Sequence, residues 1–386
     1  MKIKDVEIVK LSCFFEKKWE FSGGSFPGWH AVLVKIVTDT GLEGIGEIGS
    51  GVQVPQVVDS ILEEFKRIPI GKNVEDINKI VELLYQNSLY WGRAGVTISV
   101  ISGIDIALHD VLGKFLNVPV YTLLGGRRRE KIKAYASGGV VGERSLETLQ
   151  NELKEYVELG YKAVKIRIGY GLKKDIEITK AAREAIGGDV DLLLDAGQNY
   201  AREPWDLPTA MKIVKALEPF NPFWLEEPMR TDRVKDYAKL TSYSNIPIAG
   251  GENATWRYEF YNFIENHALD IINPDCVQAG GIRETKRICE FAELNGVAVA
   301  PHIWGSAPGL MANLHLIAST SNCILFEYSQ MENPLRSELL MEELKFEDGF
   351  ITIPEAPGLG VKLTDEILAK YPFNSNALPP SATFNR

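Results

Sequence analysis

Cysteine is scarce in this chain of 386 residues: four, at positions 13, 276, 289 and 323, with no metal-binding or redox spacing among them. They read as reduced thiols of a cytoplasmic protein. Cys276 and Cys323 fall at predicted strand ends, where small buried thiols are common. Basic charge is also in deficit. Lysine and arginine number 42 against 52 acids, a formal net charge of −10, which argues against a nucleic-acid binder. The one dense basic run, Arg127–Arg128–Arg129, follows a Gly-Gly pair and reads as a solvated loop or an interdomain contact. Long apolar runs are missing too. The uncharged apolar stretch Val96–Ile104 is about half of what a membrane span needs. The opening MKIKDVEIVK is charged from residue 2 and lacks the apolar core of a signal peptide, so the expectation is a soluble protein of the cytoplasm.

What the chain does have is a rhythm of acids. Asp195 ends VDLLLD, Glu226 lies in FWLEEP and Glu252 follows IPIAGG, at steps of 31 and 26 residues. Each step is close to one strand plus one crossover helix of a βαβ unit. Carboxylates at the C-terminal tips of successive parallel strands converge on the mouth of a barrel, where three of them can hold a hard dication. The rhythm extends both ways: Lys165 and Arg167 in AVKIRIG upstream, then Asp275, His302 and Glu327 at steps of 23, 27 and 25. Each follows a β-branched or aromatic run and precedes a Gly, Pro or polar break. Eight strands are predicted, near 132–137, 163–168, 191–195, 223–226, 246–250, 271–275, 297–301 and 323–327.

Helical patterns fill the gaps. Leu146, Leu149, Leu153, Tyr156 and Val157 form an apolar stripe that Ser145 is placed to cap and Gly160 to stop. Ile178, Ala181, Ala182 and Ala185 do the same before Gly187. Strand-helix alternation repeated eight times predicts an α/β fold, a (β/α)8 TIM-type barrel over residues 128–335. Residues 1–127 read differently, as three antiparallel strands (Ile3–Cys13, His30–Thr38, Glu43–Glu47) followed by helices, an α+β capping domain. Its glycine-rich segments Ser22–Gly28 and Gly44–Gly51 are expected to be flexible lids, and the loops around Ser22–Gly28 and Gly49–Val54 to set specificity. Residues 336–386, with a strand at Gly349–Ile353, are expected to return to the capping domain.

With these residues laid out, the chain resembles the enolase superfamily and, within it, the mandelate racemase-like group. The resemblance covers essentially the whole length. It rests on DIALHDVLGK with LLGG before the barrel, the Lys165–Arg167 pair, Asp195, WLEEP, GGEN, Asp275 with QAGG, His302 and Glu327 in order. The family implies Mg2+ held by Asp195, Glu226 and Glu252. It implies Lys165 and Arg167 on one side of a bound carboxylate substrate and His302, backed by Asp275, on the other. Glu327 is expected to contact a substrate carboxylate oxygen. Glu227 points to the other side of its strand and is expected to be structural. His30, His109, His267 and His315 belong to no constellation and are expected to be structural or surface residues; Trp304 is expected to line the pocket.

Removing a proton α to a carboxylate places a second negative charge on the substrate, and a dication, an ammonium and a hydrogen-bonding acid neutralise it where it develops. His302 suits the base, and Asp275 would fix its tautomer. Many relatives carry lysine at both positions of the second-strand pair, the second as an opposite-face base. Here that position is Arg167, a poor base and a good forked donor. The departure weakens a racemase or epimerase of an α-substituted carboxylate, which remains the alternative. It favours a dehydratase of a sugar acid, aldonate or aldarate, giving a 2-keto-3-deoxy acid. Gly197, where many relatives place a polar residue, leaves room near the metal. The family commonly forms dimers to octamers, so a homo-oligomer is expected.

Overall fold

The computed structural model describes residues 1–21, 24–140 and 144–378. The chain opens with an antiparallel meander, β1 (Ile3–Phe21), β2 (Gly24–Thr38) and β3 (Glu43–Glu47). Four helices follow: α1 (Pro55–Phe65), α2 (Ile77–Ser88), α3 (Val96–Leu116) and α4 (Val120–Leu123). Because strand side chains alternate between faces, β2 serves two cores. Val32, Val34 and Ile36 pack with α1, α2 and α3, whereas Ala31 and Leu33 pack with the barrel side of the molecule. The meander is therefore a two-sided partition between helices and barrel.

Two expectations about this region change. Of the lid expected at Ser22–Gly28, residues 22 and 23 lie outside the described residues, and Gly24–Gly28 continues β2, paired with β1. The second lid, Gly44–Gly51, is β3 followed by a 3-10 turn. Its glycines serve close packing. A Cβ on Gly46 would lie 2.0 Å from the Gly103 carbonyl oxygen, and one on Gly44 2.2 Å from that of Ala107, both on α3. Gly46→Ala should therefore push α3 off the meander and cost about 3 kcal/mol or more, the upper end for overpacking, read as a lowered thermal midpoint. A melting curve superposable on wild type would show the contact to be soft.

α3 is long and apolar enough to cross a membrane, yet 89% of its most apolar window is buried in the protein, packed against β3 and the later helix Gly281–Leu294. It is a core helix, apolar all round because it is covered all round.

Eight parallel strands follow: β4 (Lys131–Ser137), β5 (Ala163–Arg167), β6 (Asp191–Asp195), β7 (Trp224–Glu226), β8 (Ile248–Gly250), β9 (Ile271–Ile272), β10 (Ala298–Val299) and β11 (Phe326–Ser329). Between them run α5 (Leu146–Glu158), α6 (Leu172–Ile186), α7 (Leu207–Leu217), α8 (Val234–Tyr243), α9 (Trp256–Glu265), α10 (Gly281–Leu294) and α11 (Ala307–Ser319). The local signals act as read: Ser145 Oγ accepts from Thr148 N at 3.2 Å, and Gly160 takes a φ of 103° where α5 stops. β11 pairs with β4, and a one-residue parallel bridge between Val299 and Cys323 joins β10 to the chain entering β11. The sixth and seventh strands are shorter than expected, two residues each, with single bonds such as Asn273 N to Gly250 O carrying the pairing onward.

One apolar layer closes the barrel interior: Tyr135, Ala163, Leu193, Trp224, Ala249, Ile271, Ala300 and Leu325, one from each strand position around the ring. Two residues further on, and so on the same inward face, stand Ser137, Lys165, Asp195, Glu226, Asn273, His302 and Glu327. The site is the rung above the plug.

The C-terminal segment first adds a strand to the barrel, Phe350–Thr352 antiparallel to β4. It then reaches the N-terminal part, where Leu359 N donates to Asp110 Oδ1 at 2.8 Å and Ser12 N to the Tyr371 carbonyl. Of the basic run, Arg127 pairs with exposed Glu355 at 2.6 Å, while Arg129 donates to the carbonyls of Thr320, Ser321 and Cys323 beyond α11.

Candidate active site

Strand register brings the three expected metal acids together. Arg167 aligns with Asp195 across β5 and β6, and Asp195 with Glu226 across β6 and β7. Glu252 follows β8 through Gly251, whose φ of 101° turns the chain inward. One oxygen each from Asp195, Glu226 and Glu252 lies within 4.8 Å of the others. An all-oxygen donor set at this spacing fits a hard dication of the Mg2+ type. Gly197, at a φ of 55°, donates its N–H to Asp195 Oδ1 at 2.9 Å and orients that carboxylate. A side chain at this position would bear left-handed strain, which accounts for glycine. The Tyr200 hydroxyl donates to Glu252 Oε1.

Lys165 is buried among acids. Its Nζ lies 3.1 Å from Glu226 Oε2, 2.9 Å from Glu327 Oε1 and 3.7 Å from Asp195 Oδ2. Burial disfavours its charge, but Glu226 and Glu327 outweigh that and raise its pKa. Arg167 pairs with Asp195 Oδ2 and lies over the Trp304 ring, 5.4 Å from its centroid. Trp224 Nε1 adds a donor to Glu226 Oε2 at 3.2 Å.

His302 approaches this group through Glu252. Its Nδ1 lies 2.9 Å from Asp275 Oδ2, and its Nε2 3.7 Å from Glu252 Oε2. Burial alone would lower the imidazole pKa; Glu252 and the Asp275 hydrogen bond outweigh it and raise it to about 9. Asp275 is itself held: its Oδ1 accepts from Asn313 Nδ2 at 2.8 Å and from Val277 N at 3.1 Å.

Arg167, Glu252, Asp275 and His302 line one cavity, with Trp304 on its wall and Phe26, Trp29, Val52 and Leu378 forming an apolar side from the N- and C-terminal segments. Glu327 lies beside Lys165. Its carboxylate is fully buried, accepting from Ser137 Oγ at 2.7 Å, Ile303 N at 2.8 Å and Trp304 Nε1 at 3.1 Å. Lys165 also lies on Oε1, so Oε1 meets three donors and Oε2 one. Burial opposes its ionisation, but Lys165 and His302 hold it well below the ordinary carboxylate range. It grips the chain that carries His302. Glu227 stands outside the three-acid group yet is buried beside it, at a φ of 43°, and burial together with Glu252 and Glu226 pushes its pKa up.

The other histidines stay away from the cavity lining. His30 bonds Ser12 Oγ at 3.0 Å, His109 pairs with Asp105 at 3.3 Å, His315 is buried behind Tyr121, and His267 is exposed past α9. Ser137, Tyr200, Asn313 and Glu47 escaped the sequence reading. Ser137 and Glu47 carried a signal, each as the last residue of a predicted strand.

Comparison with known proteins agrees with this fold. A family model described as the enolase C-terminal domain-like family matches residues 148–367, and one for the N-terminal domain of mandelate racemase and muconate lactonizing enzyme matches residues 15–125. The arabinonate dehydratase of Saccharolobus solfataricus is 34% identical over 345 residues, 88% of this chain and 90% of that one. The D-galactarolactone cycloisomerase of Agrobacterium fabrum is 32% identical over 381 residues, 96% and 99% of the two chains. Other relatives of similar identity are named D-xylonate and D-galactonate dehydratases. Among solved structures, a racemase from Streptomyces coelicolor with bound magnesium superposes with a TM-score of 0.84 at 27% identity, covering 95% of this chain and 99% of that one. The chain belongs to the enolase superfamily, in its mandelate racemase-like group.

Proposed function

We propose that the protein is a Mg2+-dependent dehydratase of a sugar acid, an aldonate or aldarate, with Asp195, Glu226 and Glu252 as the metal ligands. The observation that carries this reading is the His302–Asp275 dyad, its Nε2 turned toward the three acids across one cavity that also holds Arg167. Relatives named for arabinonate, xylonate and galactonate supply the substrate class. Bound Mg2+ supplies Lewis-acid neutralisation of the charge that builds on the substrate carboxylate.

The protein's own groups do the rest. Asp275 accepts from Nδ1 of His302, which leaves Nε2 as the base. His302 takes the α-proton, and the electron pair of that C–H bond moves into the carboxylate to give an enediolate. Lys165 and Arg167 set positive charge against it. Return of the pair toward the β-carbon breaks the β-C–O bond. The imidazolium gives its proton to the departing hydroxyl, which leaves as water, and the enol tautomerises to a 2-keto-3-deoxy acid. Lys165, buried among three carboxylates and absent from the cavity lining, is poorly placed as the second base an epimerase needs.

The direct test incubates the purified protein with Mg2+ and arabinonate, xylonate, galactonate and the corresponding diacids. A 2-keto-3-deoxy product is the expected result; α-proton exchange with stereochemical scrambling and no keto product would support the epimerase instead. Arg167→Lys keeps the charge and loses the fork, so activity should fall by about 1–3 kcal/mol in transition-state terms. If deuterium incorporation into recovered substrate rose above wild type in this variant, the new lysine would be acting as a base, and the dehydratase reading would give way.

A further inference from the structure

Glu47 is a buried carboxylate of the N-terminal meander that spends both oxygens on the barrel. It ends β3, is 1% exposed and lines the cavity. Its Oε1 accepts from Ser306 N at 2.8 Å; its Oε2 accepts from Ser306 Oγ at 2.8 Å and from Gly309 N at 2.9 Å. Ser306 is the N-cap position of α11, and its own hydroxyl makes no capping bond to that helix. Glu47 thus acts as the cap from 259 residues away, placing a charge where the helix dipole favours it and satisfying amides the helix leaves open. The fit is close. A Cβ on Gly305 would lie 2.9 Å from Glu47 Oε2, and one on Gly309 2.8 Å from the same atom.

The tethered segment begins at His302. Only residues 303–305 separate the dyad histidine from the Ser306 amide, and Trp304, which covers Arg167, lies between them. Glu327 grips this loop from the barrel at Ile303 N and Trp304 Nε1, and Arg336 donates to the carbonyls of Trp304 and Gly305 at 3.3 Å. Glu47 supplies the grip from the other side. The cap-to-barrel seam is also stitched beside Asp275, where Gly49 N donates to the Val277 carbonyl at 3.1 Å.

We propose that Glu47 is a positioning residue: it clamps the His302–Gly309 loop to the N-terminal meander, so that the base and the Trp304 wall reach working geometry only with the meander docked. The proposal rests on the reading of His302 as the base. It touches the chemical step through His302 and leaves the metal acids alone, so it predicts a loss in kcat with KM and metal affinity little changed.

The experiment uses the full chain with Mg2+ and compares wild type, Glu47→Gln, Glu47→Asp and Ser306→Ala, with Glu43→Gln, a partly exposed partner of Lys35 on the same strand, as the control. Amide hydrogen exchange of segment 302–309 is followed without substrate, and kcat and KM are measured on whichever sugar acid wild type dehydrates. Glu47→Gln should quicken exchange in that segment about tenfold or more. It should lower kcat roughly tenfold to a hundredfold, the penalty of a small misplacement, with KM within about threefold. Ser306→Ala, which removes one of three donors, should fall between, and it decides the matter if both Glu47 variants fail to fold. Unchanged exchange overturns the proposal, as does quickened exchange with kcat intact or a loss carried wholly by KM. A wild type inactive on every sugar acid sinks the dehydratase reading. The exchange arm then stands alone, with acceleration confined to 302–309 upholding the clamp and its absence overturning it.

Discussion

Replacing His302 by asparagine should abolish turnover, by on the order of 10²–10⁴-fold as expected for loss of a positioned general base, and should abolish exchange of the substrate's α-hydrogen with D2O. Asparagine can still bond Asp275, so the wall of the cavity should stand and the loss should be chemical. Asp275→Asn should be slow for a different reason. It removes the ionised acceptor 2.9 Å from Nδ1 and lets the imidazole take the wrong tautomer. The partners that hold Asp275, Asn313 and the Val277 amide, would then face an amide of either orientation. Rapid-quench assays with α-deuterated substrate separate the two variants. If the His302 variant exchanged the α-hydrogen at near the wild-type rate, the base would have to be Lys165, and the epimerase alternative would return.

The barrel was legible because a parallel βαβ unit has a narrow range of lengths and because side chains two apart share a face. Those two facts convert the spacing of Asp195, Glu226 and Glu252 into convergence, and they place Lys165 and Arg167 on the same side. The apolar layer one rung below, from Tyr135 to Leu325, is the other half of that alternation. What stayed hidden depends on contacts between remote parts of the chain. Gly44 and Gly46 look alike whether glycine is there for flexibility or for the approach of another backbone; only the position of α3 decides.

The contacts of Glu47 and Asn313 are likewise invisible in one dimension. Glu47 meets a helix 259 residues on, and Asn313 reaches Asp275 across 38 residues from within α11. Glu327 shows what position along the strand leaves open. The residue stands where the strand rhythm puts it, and the direction of its carboxylate is set by Ser137, Ile303 and Trp304, which the rhythm does not mention.

The largest loss with the least structural change should come from Glu226→Gln. Glu226 sits at the end of β7 with Lys165 Nζ at 3.1 and 3.3 Å and Trp224 Nε1 at 3.2 Å, so three donor contacts converge on one carboxylate. Glutamine fills the same volume, and the plug beneath, including Trp224 and Leu193, is untouched, so the barrel should fold. The amide, however, turns a donor toward a site that already holds Lys165 and Trp224 donors, and it deletes one of the three charges a dication would need. Metal affinity measured by calorimetry should drop together with turnover, by orders of magnitude, while circular dichroism stays that of wild type. Chelation of the wild-type protein should have the same effect and should reverse on adding Mg2+ or Mn2+, both of which accept oxygen donors. Full activity in excess chelator would remove the metal from the mechanism and leave Asp195, Glu226 and Glu252 as counter-charges to Lys165 and Arg167. Intact metal binding with lost activity in the variant would instead assign Glu226 to holding Lys165.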